Sequence, residues 1–332
     1  MKTNPWLLLG LVCTTGFSGI VAAQSADDYT APRTEWGQPD LQGVWNFSST
    51  VPMTRPRQFG DREYMTPEEA QALARMSEQQ YEALNDSGVG GYNTFWVESA
   101  GLAENLRTSL ITYPKNGQLP PTVEGTSIQI GGLGPDYRGT RPVLVTVGGI
   151  GKDGPEDRGL SERCIIGFNS GPPFTPSMYN NNVQIIQNKD HVVLITEMIH
   201  DARVVPLDGR PHIDDDLRLW TGDSRGYWDG DTLVVETRNF NNLTQSFSVF
   251  GDSEDKVLTE RFTRVDDFHV DYEFTVDDPG TFTDKIIARV PMAKVDGQMY
   301  EYACHEGNYG MINILRGERM EEARASGTEG GR

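Results

Sequence analysis

Cations are scarce in this chain: 29 Lys and Arg stand against 48 Asp and Glu, a formal net charge of −19 over 332 residues. Neutralising nucleic-acid phosphates takes clustered Lys and Arg, so a nucleic-acid binder is excluded, and so is a polybasic protein of the membrane surface. Cysteine is rarer still, and three in this length do not make a disulfide scaffold. Long apolar runs are missing too. Beyond the first 23 residues nothing approaches the roughly 18 consecutive apolar residues of a membrane-spanning helix. No G-x-G-x-x-G follows a strand, and there is no P-loop or C-x-x-C, so nucleotide, phosphate-cradle and dithiol redox functions lack support. Core material is not lacking. With 37% hydrophobic and 9% aromatic residues the chain is not disordered as a whole, and its length suits one large domain or two modest ones.

Residues 1–23 read as a secretory signal peptide. Lys2 starts it, Trp6-Leu7-Leu8-Leu9-Gly10-Leu11-Val12 forms a short apolar stretch, and Val21-Ala22-Ala23 offers small residues for cleavage after Ala23. The rival, a lipid anchor at Cys13, would place bulky Val12 where a small residue is usual. Export leaves Cys164 and Cys304, which in an oxidising compartment most simply pair with each other; two buried free thiols are the alternative. Such a bridge is worth up to about 5 kcal/mol in the chain-entropy model. The protein is therefore expected to be periplasmic or secreted, with no membrane span, and its oligomeric state stays open.

Residues 24–125 form an extended lead-in, a short strand ending near Trp45, one helix and loops. The helix starts at Thr66-Pro67-Glu68-Glu69, a capping box with proline at the first helical position, and runs to about Leu84, where Asn85-Asp86-Ser87-Gly88 stops it. Short strands are expected within apolar runs at 127–130 and 143–147. From residue 180 the period becomes two. Strands are predicted at 183–187, 191–199, 202–205, 231–238, 257–265, 268–276, 283–290 and 298–305, joined by short turns such as Asp208-Gly209 and Asp229-Gly230. Phe268, Val270, Tyr272, Phe274 and Val276 should face one way, His269, Asp271, Glu273 and Thr275 the other. A run of eight to ten antiparallel strands removes its edges by closing, so residues 126–315 are predicted to be an up-and-down barrel or strongly curled sheet, calycin- or lipocalin-like. The fold class is mainly β. Residues 316–332 are a tail that frays from a terminal helix.

Tyr92-Asn93-Thr94-Phe95-Trp96, Glu162-Arg163-Cys164-Ile165-Ile166-Gly167, Tyr179-Asn180-Asn181-Asn182, His200-Asp201-Ala202-Arg203, Pro206-Leu207-Asp208-Gly209-Arg210-Pro211-His212, Gly222-Asp223-Ser224-Arg225-Gly226 and Tyr302-Ala303-Cys304-His305-Glu306-Gly307-Asn308-Tyr309 together resemble a large family of uncharacterised secreted bacterial proteins. The resemblance spans most of the exported chain. It implies one fold unit and carries no activity. The chain departs from the family at Tyr113-Pro114-Lys115-Asn116-Gly117-Gln118, where the family runs Asp-Pro-Pro-Asp-Gly-Arg, and at Asp284-Lys285-Ile286, where it runs Arg-Pro-Trp.

The chemistry-bearing residues gather at strand ends and turns. His200 closes the apolar run 191–199 and suits a general acid or base, with Asp201 or Glu197 orienting it; a structural histidine is the bland alternative. Glu197, inside that run, has to be paired, protonated or turned to a wet cavity. His305 and Glu306 form an opposing pair, held near the sheet if Cys304 is bridged. Arg203 or Arg225 would hold an anionic or carbonyl group, and His212, Tyr309 and Trp220 would line the substrate. Ser224 in Gly222-Asp223-Ser224-Arg225-Gly226 matches G-x-S-x-G, but the nucleophile elbow needs a helix after it and here a strand follows. His200, His212, His305 and Glu306 show no metal-ligand spacing, and Asp214-Asp215-Asp216 reads as a solvated turn. The expected protein is a cofactor-independent enzyme of lyase, isomerase or hydrolase type, with no organic cofactor and at most a divalent metal, acting on a small molecule in a barrel pocket. A non-catalytic carrier for an apolar or aromatic ligand, and an envelope interaction module, are the alternatives.

Overall fold

Alternation builds this protein. Along Val257–Arg264 and His269–Asp277 every second side chain is buried, from Leu258, Phe262 and Val270 through Tyr272, Phe274 and Val276. Polar partners lie on the other face, as a sheet with one dry side requires. Phe268 escapes the pattern, because it sits on the turn before the strand and is exposed. The computed structural model describes residues 29–86, 106–126, 153–241 and 254–327; within these, the side chains of 80–86, Asp157 and His200 are not described. The predicted signal peptide, the runs at 127–130 and 143–147, and the Tyr92–Trp96 block lie outside the described residues.

Ten strands and two helices make the described architecture: β1 Gly43–Asn46, β2 Ile111–Tyr113, β3 Asn182–Gln187, β4 His191–Thr196, β5 Ala202–Pro206, β6 Asp223–Asp229, β7 Thr232–Arg238, β8 Val257–Arg264, β9 His269–Asp277, β10 Ile286–Val295, α1 Pro67–Asp86 and α2 Tyr309–Ala325. The sheet order is β5-β4-β3-β1-β10-β9-β8-β7-β6, with β2 added beside β10. All ladders are antiparallel. Around the circle the strands thus follow chain order, and the predicted up-and-down, barrel-like sheet is present and nearly closed.

Parity explains the one gap. Nine antiparallel staves cannot alternate all the way round, so one junction must bring together two strands running the same way. That junction is β5 against β6, the two ends of the hydrogen-bonded order. Parallel neighbours need a long connection, and residues 207–222 provide it. The seam is sealed by packing: a Cβ on Gly226 of β6 would come within 2.7 Å of Val205 and 2.8 Å of Leu207. Only glycine lets the seam strands approach this closely.

The lead-in does more than pack on the barrel, since β1 is itself a stave between β3 and β10. The capping box of α1 forms as predicted, with Glu69 N–H donating to Thr66 Oγ1 (3.2 Å) and Thr66 N–H to Glu69 Oε2 (2.9 Å). Three other predictions are corrected. The run 191–199 stops being strand at Thr196, because Ile199 takes a left-handed φ of 62° and Thr196 N–H bonds Asp201 O (2.9 Å), turning the chain back into β5. Residues 298–305 are irregular rather than strand; they are tied down at Cys304 and lead into α2, whose N-cap Asn308 accepts from Met311 N–H. Helix α2 continues to Ala325, past Arg316 where the tail was expected to begin.

Trp45, Phe47, Phe174, Phe262, Tyr272 and Phe274 are fully buried within one core cluster. Rings of this size bury 150–250 Å² each and dominate core energetics. Phe174 arrives from the loop 167–181. It stacks on Phe47 (5.3 Å between centroids), meets Tyr272 at 5.6 Å, and its N–H donates to the Tyr272 hydroxyl (3.1 Å). The loop therefore inserts a ring among the staves.

Candidate functional site

One rim of the barrel collects most of the predicted site residues. It is the end where β1, β4, β7 and β9 finish and β3, β5, β6, β8 and β10 start, called the upper rim here. The Cys164–Cys304 disulfide is formed, with Cα atoms 5.7 Å apart. Cys164, Met198 and Ile199 make a small apolar cluster with Phe168, Tyr179 and Cys304 packed against it. Ile199 precedes His200 and Cys304 precedes His305, so the bridge draws the two predicted acid/base segments to one place. Tyr302 N–H reaches Glu197 O (3.3 Å). Glu197 is paired: Asn182 Nδ2 donates to its Oε2 (2.8 Å), and Asn46 Nδ2 donates in turn to Asn182 Oδ1 (3.0 Å). Asp201 Oδ1 accepts from Ala202 N–H (2.9 Å) and so serves its own turn. His305, Glu306 and Tyr309 are exposed. The His200 side chain lies outside the description.

The best-built polar group forms around His212, which the sequence assigned only to substrate contact. Residues 207–222 fold back over the outer face of β6 and β7, where Leu219 N–H bonds Asn239 O and Asn241 N–H bonds Leu219 O. This brings His212 Nδ1 to 2.8 Å from Asp223 Oδ2 and His212 Nε2 to 3.3 Å from Glu236 Oε1. Asp223 is held from two further sides, by Ile213 N–H (3.1 Å) and Arg225 Nη1 (2.7 Å). Strand register explains the meeting: Asp223 lies opposite Arg238, and Arg225 opposite Glu236. Arg238 Nε donates to Glu236 Oε1 (2.8 Å). Asp223 and Arg225 point outward because β6 alternates, which turns Ser224 inward.

That alternation settles several predicted roles. Ser224 is buried in mid-strand with its Oγ 2.9 Å from Thr237 Oγ1, so it is not an exposed elbow nucleophile. Arg225 spends its donors on Asp223, Pro211 O and Ser224 O; it positions Asp223. Arg203 lies in the core, 7% exposed, in a forked pair with Glu260 (Nη2 to Oε1, 3.0 Å) and above the Phe174 ring at 5.4 Å. It is a core cation, and its partner is the Glu260 carboxylate. Trp220 packs on Leu160 and Ile166. Asp214, Asp215 and Asp216 form an exposed turn in which Asp216 N–H bonds Asp214 Oδ1 (3.0 Å).

Glu260, Tyr272 and Lys256 are buried polar groups to which the sequence assigned no polar role. Glu260 and Tyr272 share the core with Arg203, and the Tyr272 hydroxyl donates to Glu260 Oε1 (2.7 Å). Burial, and then the Glu260 carboxylate, push the Tyr272 hydroxyl well above its usual value. The third is Lys256, buried just before β8 with its ammonium 4.3 Å from the Phe240 ring centroid. The signal for Glu260 was available, since it occupies an inward position of an alternating strand.

Burial pulls the Lys256 ammonium down from 10.5 to about 8, with Asp278 pulling the other way. The folded value lies below the unfolded one, so between about pH 8 and 10.5 the unfolded chain binds more protons. Stability contributed through Lys256 therefore rises with pH across that window, by up to about 3 kcal/mol. Urea unfolding at pH 7.5 and pH 10 should show the rise in the wild type and a flatter profile in Lys256→Met.

Among the described residues no three His, Cys, Asp or Glu side chains are grouped so as to hold a metal ion, and no helix is long and apolar enough to cross a membrane. No family model matches the chain, and no curated protein matches it.

Proposed function

We propose that this protein is an exported enzyme performing cofactor-independent acid/base chemistry, of lyase, isomerase or hydrolase type, on a small molecule bound at the upper rim. The reading rests on the Asp223–His212–Glu236 arrangement. Asp223, held by Arg225 and by Ile213 N–H, fixes the His212 ring from the Nδ1 side. Nε2 then faces Glu236 at 3.3 Å. Two electron-rich atoms that close need a proton between them. As acid the pair would deliver that shared proton to a leaving group; as base it would act from the state in which the proton has passed to solvent, taking one from the substrate in its place. The described interior positions of the barrel are filled by side chains, which favours the rim over the lumen as the site. The disulfide and the predicted signal peptide support export.

The test is a panel of small hydroxy acids, esters and uronates, followed by proton NMR for bond cleavage and for solvent exchange of C–H protons. Turnover should fall by about 10²–10⁴-fold in His212→Gln with the melting temperature unchanged. Turnover surviving in His212→Gln, or none across the panel in the wild type, rejects the assignment. A second reading, a carrier for an apolar or aromatic ligand, is favoured by Val204 and Tyr227, each 56% exposed on the two seam strands. On that reading His212→Gln leaves binding of an anilinonaphthalene dye intact.

A further inference from the structure

Arg55 is the exception in an acidic protein. With 48 carboxylates for 29 cations, a buried arginine should find an acidic partner, as Arg203 and Arg158 do. Arg55 is 4% exposed, yet its Nε and Nη1 have no hydrogen-bond partner among the described residues. The backbone beside it is fully engaged. Arg55 N–H bonds Gly117 O (2.8 Å), and Gln118 Nε2 donates to Arg55 O (2.7 Å). Gly117, at φ 68°, closes a turn from Pro114 and lies so near that a Cβ there would stand 3.1 Å from Arg55 Nε and 2.6 Å from Ser109 Oγ. The Ser109 hydroxyl is turned away, donating to Ile111 O (2.8 Å). The carboxylate at the start of β10 is also taken, since Asp284 accepts from the Tyr113 hydroxyl (2.7 Å). Lys115, on the exposed top of the turn, adds a second positive charge.

A buried guanidinium without an anion is costly, and each such group in a native fold calls for a reason. We infer that Arg55, under the turn 114–118, anchors a binding site for a small oxyanion: a tetrahedral inorganic ion or the carboxylate of a larger ligand. A planar fork of donors suits both, binding two oxygens at once. β2 runs toward the upper rim and the turn follows it directly, so Arg55 lies beneath a turn at the rim that carries the polar groups described above. The site stands independently of the acid/base reading, because no residue is shared between them.

Thermal unfolding and equilibrium dialysis of the full chain at constant ionic strength provide the test, with phosphate and sulfate in one arm, acetate and citrate in the other, and chloride as reference. At least one arm should raise the midpoint by several degrees at saturating anion. The arm that responds identifies the source. Arg55→Met should fold at least as well, since it removes an unpaired buried charge, and should weaken the anion by about tenfold or more. Arg55→Lys, which keeps the charge but not the fork, should fall between. The inference is overturned if neither arm exceeds chloride, or if Arg55→Met binds as tightly as the wild type.

Discussion

Arg203→Leu should lower stability by about 3–5 kcal/mol, and adding Glu260→Leu should restore most of the loss. Arg203 reaches from β5 to Glu260 on β8 through the barrel interior, so their pair links one end of the hydrogen-bonded order to the strands near its other end. The network is complete. Phe174 N–H donates to Tyr272, Tyr272 to Glu260, and Arg203 makes the fork with both carboxylate oxygens. Burial works against the Arg203 charge, and the Glu260 carboxylate offsets it, so the arginine stays ionised. Removing one partner leaves a buried charge uncompensated, whereas removing both leaves a site of similar volume in which only the Tyr272 hydroxyl has lost an acceptor. A double-mutant cycle in urea measures this. Single costs below about 1 kcal/mol that simply add would mean that the pair contributes nothing beyond packing.

The second large effect concerns the disulfide. Cys164→Ser with Cys304→Ser should cost about 2–5 kcal/mol, because the bridge closes a loop across a sequence separation of 140. The loss should be uneven. Helix α2 has no fully buried residue. It is attached to the rest of the protein through the bridge just before it, Asn308 Nδ2 donating to Glu162 O (2.7 Å), and Arg319 Nη1 donating to Asp153 O (3.0 Å), among other contacts. An isolated 17-residue helix is marginal in water. Limited proteolysis of the variant should cut first between about residues 300 and 327 while the barrel's far-UV spectrum persists. Equal protection of that segment in both proteins would show that side-chain contacts alone hold it.

The candidate site was legible only in parts. Arg225 and His212 stood out as polar residues near turns, but that His212 meets Asp223 and Glu236 depends on residues 207–222 folding over β6 and β7, a connection whose path no periodicity announces. His200 and His305 stood out equally. The structure adds that their segments converge on the Cys164–Cys304 cluster. Arg203 was misjudged because the residue that neutralises it, Glu260, is 57 positions away. Arg55 drew no attention, since a missing partner is visible only once every neighbour is placed.

By itself the sequence determined what depends on near neighbours. Alternation decided which faces of β8 and β9 are dry, Thr66 and Glu69 decided where α1 begins, and the run of antiparallel strands decided that the sheet would curl toward closure. These follow from backbone geometry within a few residues. Tertiary structure alone decided that β1 enters between β3 and β10, that nine staves leave a parallel seam at β5 and β6, and that Arg203 of β5 meets Glu260 of β8 in the interior. It decided too that His212 meets two carboxylates while Arg55, among the described residues, meets none. Those outcomes depend on contacts between residues far apart in the chain, where burial and charge are set by the whole barrel and by no local pattern.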